Sequence, residues 1–529
     1  MPSLLRAPLL GLAFSLTTAC AAVVSPTAPA AAPVAPTCGS PAACEQRASA
    51  RLDAARGTPA ALTELLGRFP KGGDLHNHVA GAVYAESYLA WAREDGLRVD
   101  GGLSLVDPSK CAPGACAELP ASPADARFET LVRAWSMKDF QPGAESGHDH
   151  FFAAFNRFAL VSHEAKHEGP MLAEAMRRAA ADGAIYQEVL VTVVRPLAAD
   201  IVKAAGPLDP RNLPGYEQKL RADPRWGELL ASSRRAIVET EDRARELLGC
   251  GTPRATPACG LTVRYLAQVN RTAPAATIFA DMLASFEVSA ADARVAGVNL
   301  VSPEDNATAL EDYDLQMGIL GFLGAEFRGK SPLRITLHAG ELTPPLLPPG
   351  HPEWLQAHIR NAVEIAHAER IGHGVDVLGE RDAPALLAEM RDRGVTVEIC
   401  LSSNATILGI EGAAHPLSAY LAAGVPVTLA TDDAGVSRTT LTGEYARAVT
   451  AQGVTYPQLK AMARRSLTAA FLPGESLWAA PGSTRVVDAC AASLGAARPT
   501  EACSTFLASS QRARLQWVLE GQLAAFEAQ

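Results

Sequence analysis

A chain of 529 residues in which 48% are hydrophobic carries enough apolar material for a large core, and its length leaves the domain count open because barrel enzymes exceed the usual domain size. The net charge of −10 argues against a surface built mainly to grip nucleic-acid phosphates, which takes a basic face. Chemistry on small molecules is the better starting expectation.

The first residues, MPSLLRAPLLGLAFSLTTACAAVV, carry one early positive charge at Arg6, an apolar stretch from Ala7 to about Leu16, and small residues at Ala19 and Ala21. Residues 1–20 therefore read as a secretory signal, too short for a spanning helix. Thr17-Thr18-Ala19-Cys20 also resembles a bacterial lipoprotein box, with Thr17 where leucine is usual, which leaves membrane anchoring through a lipidated Cys20 open. Residues 21–45 form a tether whose first part is almost wholly Ala, Pro, Val, Thr and Ser, a composition that buries no core. A single domain is expected over 46–529, exported to a periplasmic or extracellular location.

Eight of the ten cysteines fall into close pairs, Cys38 with Cys44, Cys111 with Cys116, Cys250 with Cys259 and Cys490 with Cys503. Each pair could close a small loop, as expected in an oxidising compartment, although spacing alone does not fix connectivity. Cys400 lies in a strand-like run, and zinc-ribbon spacing is absent.

Past the tether, β-branched runs alternate with long Ala/Leu/Arg/Glu-rich stretches of helical period. Strands are expected near 73–78, 184–192, 261–269, 295–301, 333–338, 369–372, 395–400 and 426–431. Eight strands separated by crossover-length segments predict an α/β fold, a parallel (β/α)8 TIM-type barrel. Two intervals are too long for one helix and predict inserted helices over about 85–183 and 200–260.

In such a barrel chemistry gathers at the C-terminal ends of the strands. The first strand ends in Gly73-Asp74-Leu75-His76-Asn77-His78, whose two histidines share one face because strand side chains alternate. An isolated His-x-His fits a hydrogen-bonded core pair as well as it fits a metal. Three more endings carry polar groups after apolar runs: His338-Ala339-Gly340-Glu341, Arg370-Ile371-Gly372-His373, and Thr431-Asp432-Asp433. Burying all of these without a ligand is costly, so the set points to a metal site.

The segments PKGGDLHNHVAGA, ITLHAGE, RIGHG, VEICLSSN and LATDD, in this order, resemble the signature segments of the adenosine deaminase family of metal-dependent amidohydrolases. The resemblance runs from about residue 70 to 445, and the leader, the long insertion and VAGVNLVSPEDN look closer to the family's secreted, growth-factor-like branch than to its other members. It implies that His76, His78, His338 and Asp432 hold one Zn2+ per chain, a water completing the shell. It further implies that His373 orients that water and takes its proton, that Asp432 combines ligation with proton handling, and that Glu341 protonates the purine ring nitrogen. Asp433, His78 and Ser302 become substrate contacts, with Asp433 protonated if it donates to the purine imidazole ring. Phe151 and Phe155, one helical turn apart, fit either a pocket cover or a core pair, and Ser402, Ser403 and Asn404 are expected at the rim. The fourth strand, VAGVNLV, has no lysine to bridge two metals, which favours a single ion.

His163-Glu164-Ala165-Lys166-His167 fits the H-E-x-x-H pattern of zinc proteases and supplies the rival enzyme reading, with Glu188 as a distant third ligand. Gly169-Pro170 is expected to interrupt the helix directly after it, and no third histidine follows in metzincin spacing. His148 and His150 are expected in a solvated loop.

Departures from the family pattern concern specificity. Val79 and Ala80 stand where relatives often place an acidic ribose contact, Ser302 where many have glycine, Leu401 and Ala434 where proline is usual. The expected activity is deamination of adenosine and 2′-deoxyadenosine to the inosine product and ammonia. The alternatives are deamination of another 6-aminopurine derivative and a non-catalytic, zinc-containing surface protein that binds nucleosides or a partner. The expected partner is a small-molecule nucleoside and not a nucleic-acid polymer, and oligomeric state stays open.

Overall fold

The expected strands form β1 (Gly72–His78), β2 (Ala184–Val191), β3 (Thr262–Asn270), β4 (Val295–Val301), β5 (Arg334–Ala339), β6 (Arg370–His373), β7 (Thr396–Ile399) and β8 (Val427–Leu429). The computed structural model describes residues 38–480, 482–493 and 498–529, so the signal and lipoprotein readings and most of the tether lie outside the described residues. The strands pair in parallel in chain order. The seam between β8 and β1 is closed by a parallel bridge from Asn77 to Asp432, in which the Asp432 N–H donates to the His76 carbonyl at 2.8 Å and the His78 N–H to the Asp432 carbonyl at 3.1 Å. This is a (β/α)8 TIM-type barrel.

Strands covered on both faces read as continuous apolar runs, and Val189, Val298, Leu337, Ile371, Val397 and Leu429 are fully buried here. Polar groups inside the barrel are paired. Glu188, Arg370 and Glu398 are each buried; Arg370 Nε donates to Glu398 Oε1 at 2.5 Å and its Nη2 pairs with Glu188 Oε2. Tyr186 Oη and the Phe471 N–H donate to Glu188 Oε1 at 2.7 and 2.6 Å, and Arg370 lies 3.7 Å over the Phe471 ring. Glu188 thus serves an ion pair at the barrel centre and is no protease ligand.

The first insertion is not helical throughout. It contains a three-stranded antiparallel sheet of Arg98–Asp100, Leu105–Val106 and Cys116–Glu118, carrying the Cys111–Cys116 disulfide, between helices that include Ala85–Glu94, Gly147–Ser162 and Ala165–Ala181. Tyr88, Trp135, Phe151 and Phe158 give it a core of its own. The second insertion forms helices Leu197–Ala205, Leu213–Ala222 and Trp226–Leu247.

Two local expectations fail for physical reasons. Gly169-Pro170 does not interrupt a helix: Pro170 falls in the second turn of Ala165–Ala181, where it removes one hydrogen bond and the helix continues. Gly169 is required by contact, since a Cβ there would lie 2.6 Å from Arg243 Cγ of the neighbouring helix. His148 and His150 are not in a solvated loop, because Ser146 caps the helix ahead of them with its side chain. His150 is buried, bonded to Glu145 Oε2 at 2.8 Å and to the Arg133 carbonyl at 2.9 Å. All four cysteine pairs are disulfides, and Cys400 is a buried free thiol.

Arg370→Ala strips the charge shared by two buried carboxylates, a change that costs about 3–5 kcal/mol when one side of a buried pair is removed. Urea unfolding is expected to show a loss of that size; a loss under about 1 kcal/mol would mean the pair is solvated rather than buried.

Candidate metal centre and active-site pocket

Alternation along β1 turns His76 and His78 toward the same space at the barrel mouth, where His338 arrives from β5 and Asp432 from the end of β8. His76 Nε2 and His338 Nε2 are 3.0 Å apart, His78 Nε2 and His338 Nε2 3.2 Å, and Asp432 Oδ1 is 3.4 Å from Nε2 of both His76 and His78. Ligand atoms about 2.0–2.1 Å from a tetrahedral ion lie about 3.3 Å from each other, so the four fit the shell of one small cation.

The tautomers make the case stronger. His76 Nδ1 donates to Glu398 Oε2 at 2.7 Å, and His338 Nδ1 donates to Asn299 Oδ1 at 2.8 Å. When both rings are neutral with protons held on Nδ1, their Nε2 atoms present lone pairs to each other at 3.0 Å; without an ion, Asp432 and Glu398 outweigh burial and raise His76 to about 10, which puts a proton where the cation would sit. Such an approach of two neutral rings repels unless a cation sits between them, and carboxylate or amide support on the far nitrogen is the usual outer partner of a metal-binding histidine. Asp432 fits the same role: Ser403 Oγ donates to its Oδ2 at 2.6 Å, while its buried Oδ1 has no hydrogen-bond partner. Burial lowers His338 well below the ordinary histidine range and His78 to about 4, which keeps both neutral as ligands. These residues fit zinc.

Around this cluster stand the groups with chemistry to perform. Burial, joined by the charges of Asp432 and Glu304, raises Glu341 well above the usual carboxyl range, which favours its protonated form. Burial, then the charge of Asp432, does the same for Asp433. His373 Nδ1 is 3.4 Å from Glu341 Oε1, and burial lowers this histidine to about 4. His373 (φ 67°), Asp432 (φ 56°) and Ser302 (φ 81°) all adopt left-handed backbone, which costs non-glycine residues about 1–3 kcal/mol each and concentrates at sites that aim side chains.

A cavity of about 410 Å³ opens from this cluster. Phe151, Phe155 and Met171 form part of its apolar wall; Ser302, Glu341 and Asp433 supply polar groups. Phe151 is buried in the inserted domain's core as well, so both readings of the pair hold. Val79 and Ala80 line the cavity, as do Thr192 and Arg195 further out.

Several residues that make the site work are silent in the sequence. Gly81 lies so close to Asp433 that an added Cβ would overlap its carboxyl, and a Cβ on Gly372 would stand 2.7 Å from His76 Cε1. Glu304 accepts the backbone N–H groups of Gly340 and Glu341 at 3.1 and 2.8 Å and bonds His358 Nδ1 at 2.6 Å, which fixes the loop that carries Glu341. Ser403 and Asn404 are not rim residues. They belong to the helix Leu401–Leu408, fully buried, and bond Asp432 and His373.

The protease-like motif is not assembled. His163 caps one helix and His167 sits in the next, bonded to Asp95 Oδ2 at 2.7 Å and stacked on Trp91. Among the described residues, the groupings able to hold an ion include neither histidine.

The chain is thus a (β/α)8 barrel with three histidines and a carboxylate gathered at its mouth and a pocket opening from them. A family model described as adenosine deaminase matches residues 230–478. Over 180 residues the chain is 33% identical to an adenosine deaminase of Serratia proteamaculans, covering 33% of this chain and 49% of the relative. Over 195 residues it is 30% identical to an adenine deaminase of Rhizobium leguminosarum bv. trifolii, covering 36% and 53%. The chain spans about half the length of the curated relatives it matches. The solved structure of an N6-methyl-AMP deaminase from Arabidopsis thaliana shares the fold at 19% identity with a TM-score of 0.50, covering 78% of this chain and 94% of that one. Over residues 230–478 the chain is therefore similar to the adenosine deaminase family.

Zinc measured by mass spectrometry should be near stoichiometric in the native protein, lost in His338→Ala and retained in His163→Ala. Asn299→Ala should weaken zinc about 10–100-fold by releasing the His338 ring. Zinc lost through His163→Ala instead would place the ion elsewhere.

Proposed function

We propose that the protein hydrolyses adenosine, and 2′-deoxyadenosine, to inosine or 2′-deoxyinosine and ammonia, using a single zinc ion held by His76, His78, His338 and Asp432. The observation that carries this reading is the placement of Glu341, His373 and Asp433 around one buried cluster of candidate ligands at the end of a substrate-sized cavity. Zinc in that shell supplies Lewis acidity that activates water near neutral pH.

The chain's own residues then do the following. His373 bonds and orients the attacking water. Asp433, neutral and buried, donates to the imidazole edge of the purine and sets carbon 6 over the reacting oxygen. Glu341 gives its proton to ring nitrogen 1 as the oxygen adds to carbon 6. One proton of the water ends on the amino group, the carbon–nitrogen bond breaks, and ammonia leaves. The second proton, released as the carbonyl forms, restores Glu341, so atoms and charge balance.

A second reading is favoured by Val79 and Ala80, apolar residues lining the cavity where an acidic sugar contact is expected. It makes the substrate a different 6-aminopurine derivative, in keeping with relatives described as adenine deaminase and N6-methyl-AMP deaminase. A non-catalytic binding protein would have no use for a Glu341 placed beside His373. Export through the N-terminal leader, with Cys20 as a lipid site, is proposed alongside, and the four disulfides support an oxidising compartment.

Loss of the adenosine ultraviolet band on incubation with the zinc-loaded protein is the expected result, with kcat reduced about 10²–10⁴-fold in Glu341→Gln. Turnover of adenine or a modified nucleotide alone would select the second reading, and no turnover of any aminopurine would sink the enzymatic one.

A further inference from the structure

The buried helix that follows β7 leads into a hydrogen-bond chain whose direction is set at one end. His415 is 1% exposed, in the turn ahead of the helix Leu417–Ala423, and its Nδ1 lies 3.1 Å from the backbone nitrogen of Leu417. A backbone N–H can only donate, so Nδ1 of His415 must accept. The neutral ring then carries its proton on Nε2, which lies 3.1 Å from Asn404 Oδ1. Burial, with the charge of Arg447, lowers His415 to about 4 and keeps it neutral.

Asn404, fully buried, is oriented by that donor: its carbonyl faces His415 and its amide N–H2 faces His373 Nδ1 at 2.9 Å. Turning the amide over would oppose two N–H groups at His415. Glu341 Oε1 approaches the same nitrogen of His373 at 3.4 Å. His373 Nε2 is buried and has no protein partner.

We propose that His415 and Asn404 are positioning residues that hold His373 as its Nε2–H tautomer, so that the ring meets the attacking water as a hydrogen-bond donor. The direction passes from the Leu417 N–H through His415 and Asn404 without a reversible step. The expectation that His373 removes the water's proton gives way to one in which it donates a hydrogen bond to the oxygen, and Asp432 and Glu341 handle protons. What the donor acts on rests on the deaminase reading; the tautomer does not.

The test uses the full-length, zinc-loaded protein with 15N-labelled histidine, the His373 signals being assigned by their loss in His373→Gln. In the native protein Nδ1 of His373 should give the signature of an unprotonated ring nitrogen and Nε2 that of a protonated one. Asn404→Asp replaces the N–H donor with an acceptor and should move the proton to Nδ1. Its zinc content should stay unchanged while kcat falls about 10²–10⁴-fold and KM moves by less than about threefold. His415→Gln, which can still donate to Asn404, should keep the native ring signature, and His415→Leu should lose it. A protonated Nδ1 in the native protein, or an unchanged ring signature in Asn404→Asp, overturns the proposal. The native spectrum decides even if a variant fails to fold. Absence of turnover on every aminopurine, with the tautomer as described, would count against the deaminase reading and leave this one standing.

Discussion

One buried carboxylate organises the structure. Glu398 projects from β7 into the barrel, with Oε2 2.7 Å from the ring of His76 and Oε1 taken by Arg370 at 2.5 Å and Thr336 at 2.8 Å. Burial works against its charge, yet Arg370 and His76 hold it down to about 2, so it stays ionised at any working pH. A charge in that position is tolerable only while both sides are paired. Arg370 is bound on its other side by Glu188, whose Oε1 receives the N–H of Phe471 from beyond the last strand. The same connected set therefore fixes His76, a proposed metal ligand at the mouth, and the Phe471 segment packed against Arg370.

The barrel closes at the point where the chemistry sits. Between β8 and β1 the pairing bonds involve the backbone of His76, His78 and Asp432, three of the four proposed ligands. Thr431 reinforces the seam, donating its hydroxyl to Asp74 Oδ2 at 2.5 Å and accepting from Asn77 Nδ2 at 2.8 Å. Closure of the sheet and convergence of the ligands are in this way one event. The left-handed backbone at Ser302, His373 and Asp432 follows from the same constraint: each strand must turn sharply to leave the barrel while its side chain stays in the mouth.

Much of this was legible in the sequence. Strands buried on both faces cannot alternate in polarity, so they stand out as apolar runs, and a polar residue directly after such a run marks the barrel mouth. That argument reaches His76, His78, His338, Glu341, His373, Asp432 and Asp433. It does not reach Glu188, Arg370 or Asn299, whose partners lie elsewhere in the chain and depend on strand register, nor Asn404 and His415, whose pairing depends on how the helix after β7 packs. The clearest signal left unread was charge within a strand: Glu398 falls between Val397 and Ile399 and Arg370 opens β6, both in strands buried throughout, where an unpaired charge is not stable. Local punctuation misled where packing decided the outcome. Gly169-Pro170 looks like a stop but lies in the second turn of a helix against Arg243, and Ser402-Ser403-Asn404 looks like a rim but begins a buried helix.

The account's central claim is that these ligands hold one ion between lone pairs directed by Glu398 and Asn299. Anomalous diffraction from crystals of the zinc-loaded protein, recorded on both sides of the zinc absorption edge, tests it most directly. The claim predicts a single peak about 2.0–2.2 Å from Nε2 of His76, His78 and His338 and from Oδ1 of Asp432. A peak at His163 or His167, or none among the four residues, would contradict it.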